Sequence, residues 1–281
     1  MKNILLPTDF SENSWNAIKY AIQLFENEPC NFYVLHVNKV TDNFMDGAPF
    51  LADEDLLLEV YTKPTKKKLR QIMKRISAHF PPNKDHKFYT LSDYNFFIDT
   101  IRKQVDEKRI DLIIMGTKGT SGLKEIIVGS NTGDVITKVK CNTLVVPEQA
   151  EFKPLKEIAF PTDFSLNYNL ELLEPISDII DQQKAALRII HVHKKKMDLN
   201  NEQKLNRELL DDYFNGTEHS FHYLTNSRIE DAIECFVQSR HVDLISMVAK
   251  NLNYFQQILF HSRVEEISYH TETPFLVLHE K

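Results

Sequence analysis

Short apolar runs separate longer stretches in which apolar residues recur every three or four positions. Ile4-Leu5-Leu6, Val34-Leu35, Leu112-Ile113-Ile114-Met115 and Leu144-Val145-Val146 are brief, rich in branched aliphatics and almost free of charge. Such runs suit strands of a parallel sheet that are covered on both faces. Between them, Trp15, Ile18, Ala21, Ile22 and Phe25 form one helical stripe, and Ile98, Ile101, Val105 and Ile110 form another. Strands alternating with helices predict an α/β fold with helices on both faces of the sheet. Phe10-Ser11 and Phe164-Ser165 read as helix starts with serine N-caps, and Ser130 reads as the N-cap of a later helix.

The pattern occurs twice. Lys2-Asn3-Ile4-Leu5-Leu6-Pro7-Thr8-Asp9-Phe10-Ser11 returns as Lys156-Glu157-Ile158-Ala159-Phe160-Pro161-Thr162-Asp163-Phe164-Ser165. Val34-Leu35-His36-Val37 returns as Ile189-Ile190-His191-Val192, and Asp111-Leu112-Ile113-x-Met115 as Asp243-Leu244-Ile245-x-Met247. A repeat this long means two duplicated domains rather than solenoid units. Their expected limits are 1–149 and 154–281, joined by the short polar stretch Gln149–Pro154 and packed against each other.

Five of the seven glycines (116, 119, 122, 129 and 133) fall in one window directly after a strand-like run, spaced Gly116-x2-Gly119-x9-Gly129-Ser130. A glycine-rich turn that leads into a helix offers free N–H groups and the positive end of a dipole, which suits phosphate. A tight loop whose glycines only solve backbone geometry is the alternative. Neither a G-x4-G-K-[ST] nor a G-x-G-x-x-G pattern occurs, so neither a Walker loop nor a dinucleotide fold is indicated. Ligands of parallel α/β sheets lie beyond the strand C-termini, where strand order reverses. Pro7-Thr8-Asp9 and the glycine loop would face one crevice there. Asp9 itself could equally contact a ligand or bond nearby backbone.

Charge adds an asymmetry. Residues 1–150 hold 20 Lys+Arg and 19 Asp+Glu, whereas residues 151–281 hold 14 and 21, so the acidic excess lies in the second half. Neither half is basic enough for general nucleic-acid binding, and Lys66-Lys67-Lys68 reads as a solvated helix face. Three cysteines without short spacing argue against a disulfide framework. Cys141 and Cys235 read as small core residues. The short apolar run before Asp9 makes no signal peptide and no stretch spans a membrane, so a cytoplasmic protein without a membrane partner is expected. His36, His191 and His193 read as strand-end histidines bonded to backbone rather than metal ligands. Thr41–Thr65 reads as a lid or as an interface-packing insert, and the charged Lys194–Tyr213 is its shorter counterpart.

These residues resemble the universal stress protein family in a tandem, two-domain form. The resemblance rests on the G-x2-G-x9-G-(S/T) spacing met by Gly116, Gly119, Gly129 and Ser130, and on the Asp of Pro7-Thr8-Asp9. It implies two Rossmann-like domains of the adenine-nucleotide α-hydrolase type, each a five-stranded parallel sheet of order 3-2-1-4-5. It further implies an intramolecular pseudo-dimer paired through the last strands. By position, Asp9 would face the adenosine, and Val37 and the Met115 backbone would line the adenine pocket. Gly116 and Gly119 would approach ribose and phosphates, and Gly129, Ser130 and Asn131 would contact phosphate. The ligand implied is ATP or another adenine nucleotide, with Mg²⁺ carried by it.

In the second half the motif positions become Val248, Asn251, His261 and Ser262, so one nucleotide site per chain is expected. No residue reads as a dedicated general base, which makes turnover slow or absent. The functional expectation is a nucleotide-responsive stress or signalling regulator with an unidentified protein partner and room for homo-oligomers. The competing reading is a non-nucleotide scaffold whose acidic half contacts a protein or metabolite. An ATPase or nucleotidyl transferase has only fold analogy behind it.

Overall fold

A computed structural model of the chain describes residues 1–38, 54–117, 129–165, 170–193, 198–226, 228–249 and 272–280, with backbone alone over 54–62. The first half runs β1 (Lys2–Pro7), α1 (Glu12–Leu24), β2 (Cys30–Asn38), α2 (Glu54–His79), β3 (His86–Tyr94), α3 (Phe97–Lys108), β4 (Leu112–Gly116), α4 (Ser130–Lys138) and β5 (Thr143–Val146). The second runs β6 (Glu157–Pro161), α5 (Leu170–Gln183), β7 (Ala186–His193), α6 (Asn201–Tyr213), β8 (His219–Thr225), α7 (Ile229–Arg240), β9 (Leu244–Val248) and β10 (Phe275–Leu278).

All ten strands form one sheet in the order β3-β2-β1-β4-β5-β10-β9-β6-β7-β8. Each half has the order 3-2-1-4-5 with parallel neighbours. The halves meet where β5 pairs with β10 in antiparallel register, Val145 opposite Phe275 and Leu144 opposite Leu276. The implied pseudo-dimer through the last strands is therefore present. Because that pairing is antiparallel, the strand C-termini of the two halves point to opposite rims of the sheet.

Alternation along the strands feeds a core on each face. Ile4 and Leu6 join Trp15, Ile18, Ala21, Leu69, Ile72 and Ile76 under α1 and α2. The same core crosses the seam through Leu144, Val146, Leu276 and Leu278 to reach Leu173, Ile176 and Leu210 under α5 and α6. On the other face, Leu5, Ile113 and Met115 pack with Ile101 and Val135 of α3 and α4, while Ile190, Ile245 and Val277 pack with Ile233 and Phe236 of α7. The repeated Asp-Leu-Ile has its own structural reason. Asp111 Oδ2 accepts the Asn3 N–H at 2.9 Å, and Asp243 Oδ2 accepts the Lys156 and Glu157 N–H groups at 2.8 and 3.0 Å. Each carboxylate thus ties the beginning of the central strand to the beginning of its neighbour.

Several local expectations can be compared with the structure. Ser11 caps α1, its side chain accepting from the Ser14 N–H. Ser130 does not cap α4: the cap is Gly129, without a side-chain bond, and Ser130 is the first helical residue. Cys141 is buried but Cys235 is exposed on α7, so Cys235 is not a core residue. Lys66, Lys67 and Lys68 are exposed on α2. That helix begins at Glu54, inside the stretch expected as a lid or insert, whose residues 41–53 lie outside the described residues. The start of α5 after Ser165 lies beside residues 166–169, also outside them.

A core shared across the seam predicts a shared unfolding transition. Leu276→Ala, at a fully buried site in the second half, should lower the unfolding free energy by about 2–5 kcal/mol. Fluorescence of Trp15, in the first half, should follow that shift in a urea titration. A Trp15 transition left where it was would contradict the shared core.

Candidate nucleotide crevice

The first-half crevice lies where β1 and β4 adjoin and their chains turn to opposite faces, β1 into α1 and β4 toward α4. Beyond Pro7 the backbone makes a compact loop. Thr8 N–H donates to Leu35 O at 2.8 Å, and the Thr8 hydroxyl accepts the Phe10 N–H at 3.0 Å. Asp9 Oδ1 accepts both the Ser11 N–H at 3.0 Å and the Ser11 hydroxyl at 2.6 Å. These bonds hold Phe10 at φ 67°, in the left-handed region that a bulky residue adopts only when its surroundings impose it. The Phe10 ring packs against His36, centroids 4.4 Å apart, and the Lys68 ammonium lies 5.2 Å from its centre.

The other Asp9 oxygen, Oδ2, is buried and accepts no hydrogen bond from a described residue. A carboxylate oxygen removed from water without a donor is costly, and a ligand N–H or O–H would satisfy it. Across the crevice, Thr132 of α4 donates to Gly116 O at 2.9 Å, and Gly129 N–H donates to Thr117 O. These bonds pin the start of α4 to the end of β4. Ser130 and Asn131 are exposed in the first turn of α4, where backbone N–H groups have no partner within the helix.

Among the expected site residues, the structure places Pro7, Thr8 and Asp9 at the end of β1, Met115 and Gly116 at the end of β4, and Gly129, Ser130 and Asn131 at the start of α4. Val37, half-buried near the end of β2, packs at the edge of the Leu5–Met115 core. Gly119 lies outside the described residues. Gly116 has a second role that its spacing did not disclose. A Cβ there would meet Asn13 Oδ1 at 2.5 Å, so the missing side chain makes room for a buried Asn13 of α1. Asn13, Ser14 and Thr132 were not expected at the crevice; only their places just after the Asp9 loop and the Gly129-Ser130 pair could have drawn attention to them.

The second half repeats the loop. Thr162 Oγ1 accepts the Phe164 N–H at 2.9 Å, Asp163 Oδ1 accepts the Ser165 N–H at 2.9 Å, and Phe164 sits at φ 57°. His36 and His191 both bond the threonine carbonyl through Nδ1, at 2.7 and 2.8 Å. Burial pushes both imidazoles below the ordinary histidine range. In the second half α6 bonds to the loop backbone, Gln203 Nε2 donating to Asp163 O and Asn206 Nδ2 to Phe164 O, each at 2.8 Å. Val248, at the first motif position, carries a buried side chain where the first half has glycine, and positions 251, 261 and 262 lie outside the described residues.

Residues 1–147 match the family model described as the Universal stress protein family. The chain is 30% identical over 156 residues to Universal stress protein MJ0531 of Methanocaldococcus jannaschii, covering 56% of this chain and 85% of that protein. It is 28% identical over 152 residues to MJ0577 of the same organism, covering 52% and 94%. A solved universal stress protein from Archaeoglobus fulgidus shares the fold along nearly the whole length, with TM-score 0.69 over 98% of this chain and 97% of that one at 19% identity.

Two outcomes follow from this geometry. Gly116→Ala should destabilise the protein by about 1–3 kcal/mol in denaturant titration, and adding Asn13→Ala should recover part of the loss; simple additivity would refute the contact. The second concerns pH. His36, His191 and His279, the last pushed down to about 4 by burial, stay neutral in the folded state while the unfolded chain protonates near 6.5. Their contribution is present above that pH and lost as pH falls through 6.5 toward 4. The melting temperature should decline over that range, less steeply in His279→Asn.

Proposed function

Because this chain belongs to the universal stress protein family, we propose that residues 1–149 bind one adenine nucleotide, ATP with Mg²⁺, and that residues 154–281 serve as the paired half. The observation that carries this reading is the buried Asp9 Oδ2, which has no donor among the described residues and lies past β1, the strand that pairs with β4. In this reading Asp9 accepts a hydrogen bond from the adenosine, with Val37 and the Met115 backbone along the base and Pro7 and Thr8 forming the floor. Gly129, Ser130 and Asn131 offer backbone N–H groups and the Ser130 hydroxyl to phosphate, helped by the helix dipole. Gly116 and Gly119 belong to the same loop, Gly116 contributing through its backbone since Asn13 fills the space over its Cα.

ATP supplies a triphosphate whose charge Mg²⁺ offsets; the chain's residues bind and orient it. In the described crevice His36 is engaged with Thr8 O and one Asp9 oxygen with Ser11, and the other, Asp9 Oδ2, is assigned to the ligand. In this reading the nucleotide is a ligand that sets the state of a cytoplasmic stress-response regulator, with hydrolysis slow or absent. The scaffold reading is favoured for the second half only. There α6 is bonded to the backbone of the equivalent loop and Val248 occupies the glycine position.

Calorimetric titration of Mg-ATP into nucleotide-free protein should give one site per chain, and excess ligand should raise the melting temperature. Asp9→Ala should weaken binding about tenfold or more, whereas Asp163→Ala, which removes the same turn from the second half, should leave it unchanged. A large residue in place of Gly129 should abolish it. Two sites, or equal effects of the two aspartate variants, would overturn the assignment.

A further inference from the structure

The seam between the halves carries two cavities related by the internal repeat. One, of about 340 Å³, lies against the beginnings of β4 and β5 and is lined by Arg109, Lys140, Asp111 and His279. The other, of about 660 Å³, lies against the beginnings of β9 and β10 beneath the stretch that joins the halves. One equivalent pair reverses its charge and another replaces arginine with histidine. Lys140 stands three residues before β5 and Glu272 three residues before β10; Arg109 stands three before β4 and His241 three before β9. Arg109 and His241 even share the left-handed helix-end conformation, φ 49° and 52°. The geometry is repeated while the electrostatics are not.

The larger cavity is acidic. Glu151, Glu234 and Glu272 line it, and its one lysine, Lys153, is held by Asp243 at 2.8 Å. Tyr20 reaches it from α1 in the first half. That residue is 2% exposed, its ring edge rests on Phe152, and its hydroxyl makes no hydrogen bond to a described residue. Burial and the Asp243 carboxylate push its phenol above the usual tyrosine range, so it remains a neutral donor and acceptor. Leu155, Val237 and Val242 supply apolar wall between the carboxylates.

A phenol at the cavity wall, three carboxylates and intervening aliphatic side chains together describe one ligand chemistry. No group of His, Cys, Asp and Glu among the described residues is arranged to hold a metal ion. The volume is within the range of small-molecule sites, roughly 300–1,000 Å³. We propose that this seam cavity binds an aliphatic amine with two or more ammonium groups, its methylenes against Leu155 and Val237 and its charges on the glutamates, with Tyr20 accepting from one ammonium. Such a ligand touches α1 of the first half and α7 of the second, and so strengthens their pairing. It needs no nucleotide.

Spermidine titrated calorimetrically into the full chain should give saturable binding with one site. Glu234→Gln/Glu272→Gln should weaken it about tenfold or more. Glu202→Gln/Glu208→Gln, an equal charge change on exposed α6 positions, should alter it by less than about twofold. Tyr20→Phe, nearly isosteric, should weaken it severalfold while circular dichroism shows an intact fold. Non-saturating heats, or equal losses in the two glutamine pairs, would show that spermidine meets only the general negative surface and would overturn the site.

Discussion

The antiparallel pairing of β5 with β10 is the constraint on which the other arrangements depend. Without it each half would end in a strand with a row of unpaired backbone groups, the situation folded proteins avoid. With it, residues that are fully buried on both strands, Leu144, Val145, Leu276 and Val277, join cores that cover both faces. The pairing also fixes direction. It sets the first-half crevice and the beginnings of β9 and β10 on the same rim of the sheet, with the linking stretch between them. Asn16 of α1 holds that stretch through Pro147 O and Ala150 O, at 3.1 and 2.8 Å.

Within each half, the loop after the first strand combines rigidity with openness. A threonine, an aspartate and a histidine satisfy its backbone in both copies and force a phenylalanine into a left-handed conformation. Strain of this kind persists only where neighbouring bonds over-determine it. The copies part company at the next layer. Gln203 and Asn206 bond the backbone of the second loop, whereas in the first a buried aspartate oxygen has no donor among the described residues. The same local frame thus takes different neighbours in the two halves.

Much of the frame was legible in the chain. The stripe Trp15–Phe25 and the branched strand runs are buried because apolar periodicity reports burial directly. Order 3-2-1-4-5 and the seam came from family resemblance; hydrophobic pattern alone does not say which strands adjoin. Other features depend on contacts that spacing does not encode. Ser130 reads as a helix cap, but Gly129 O accepts the first helical bond, from the Gly133 N–H at 2.9 Å, and takes that place. Cys235 has apolar neighbours in sequence yet lies on the solvent side of α7. Arg188 interrupts a buried run in β7 and is accommodated by Glu157 of β6 and Glu218, just before β8, at 2.7 and 3.0 Å, and by the Ser220 hydroxyl at 3.0 Å. At the site, the glycine window pointed to the right strand end, but the partner of Gly116 is Asn13, more than a hundred residues earlier.

The covalent link across the seam has a further consequence. Two separate copies meeting about a two-fold axis must present one self-complementary surface, so any charge changed on one side is changed on both. Their contact also weakens on dilution. A link of a few residues supplies a local concentration in the millimolar range whatever the protein's abundance. It removes the symmetry requirement at the same time. Lysine at one seam position and glutamate at its repeat equivalent is an asymmetry that a symmetric dimer could not encode, and here one chain can carry two differently charged pockets within a single repeated geometry.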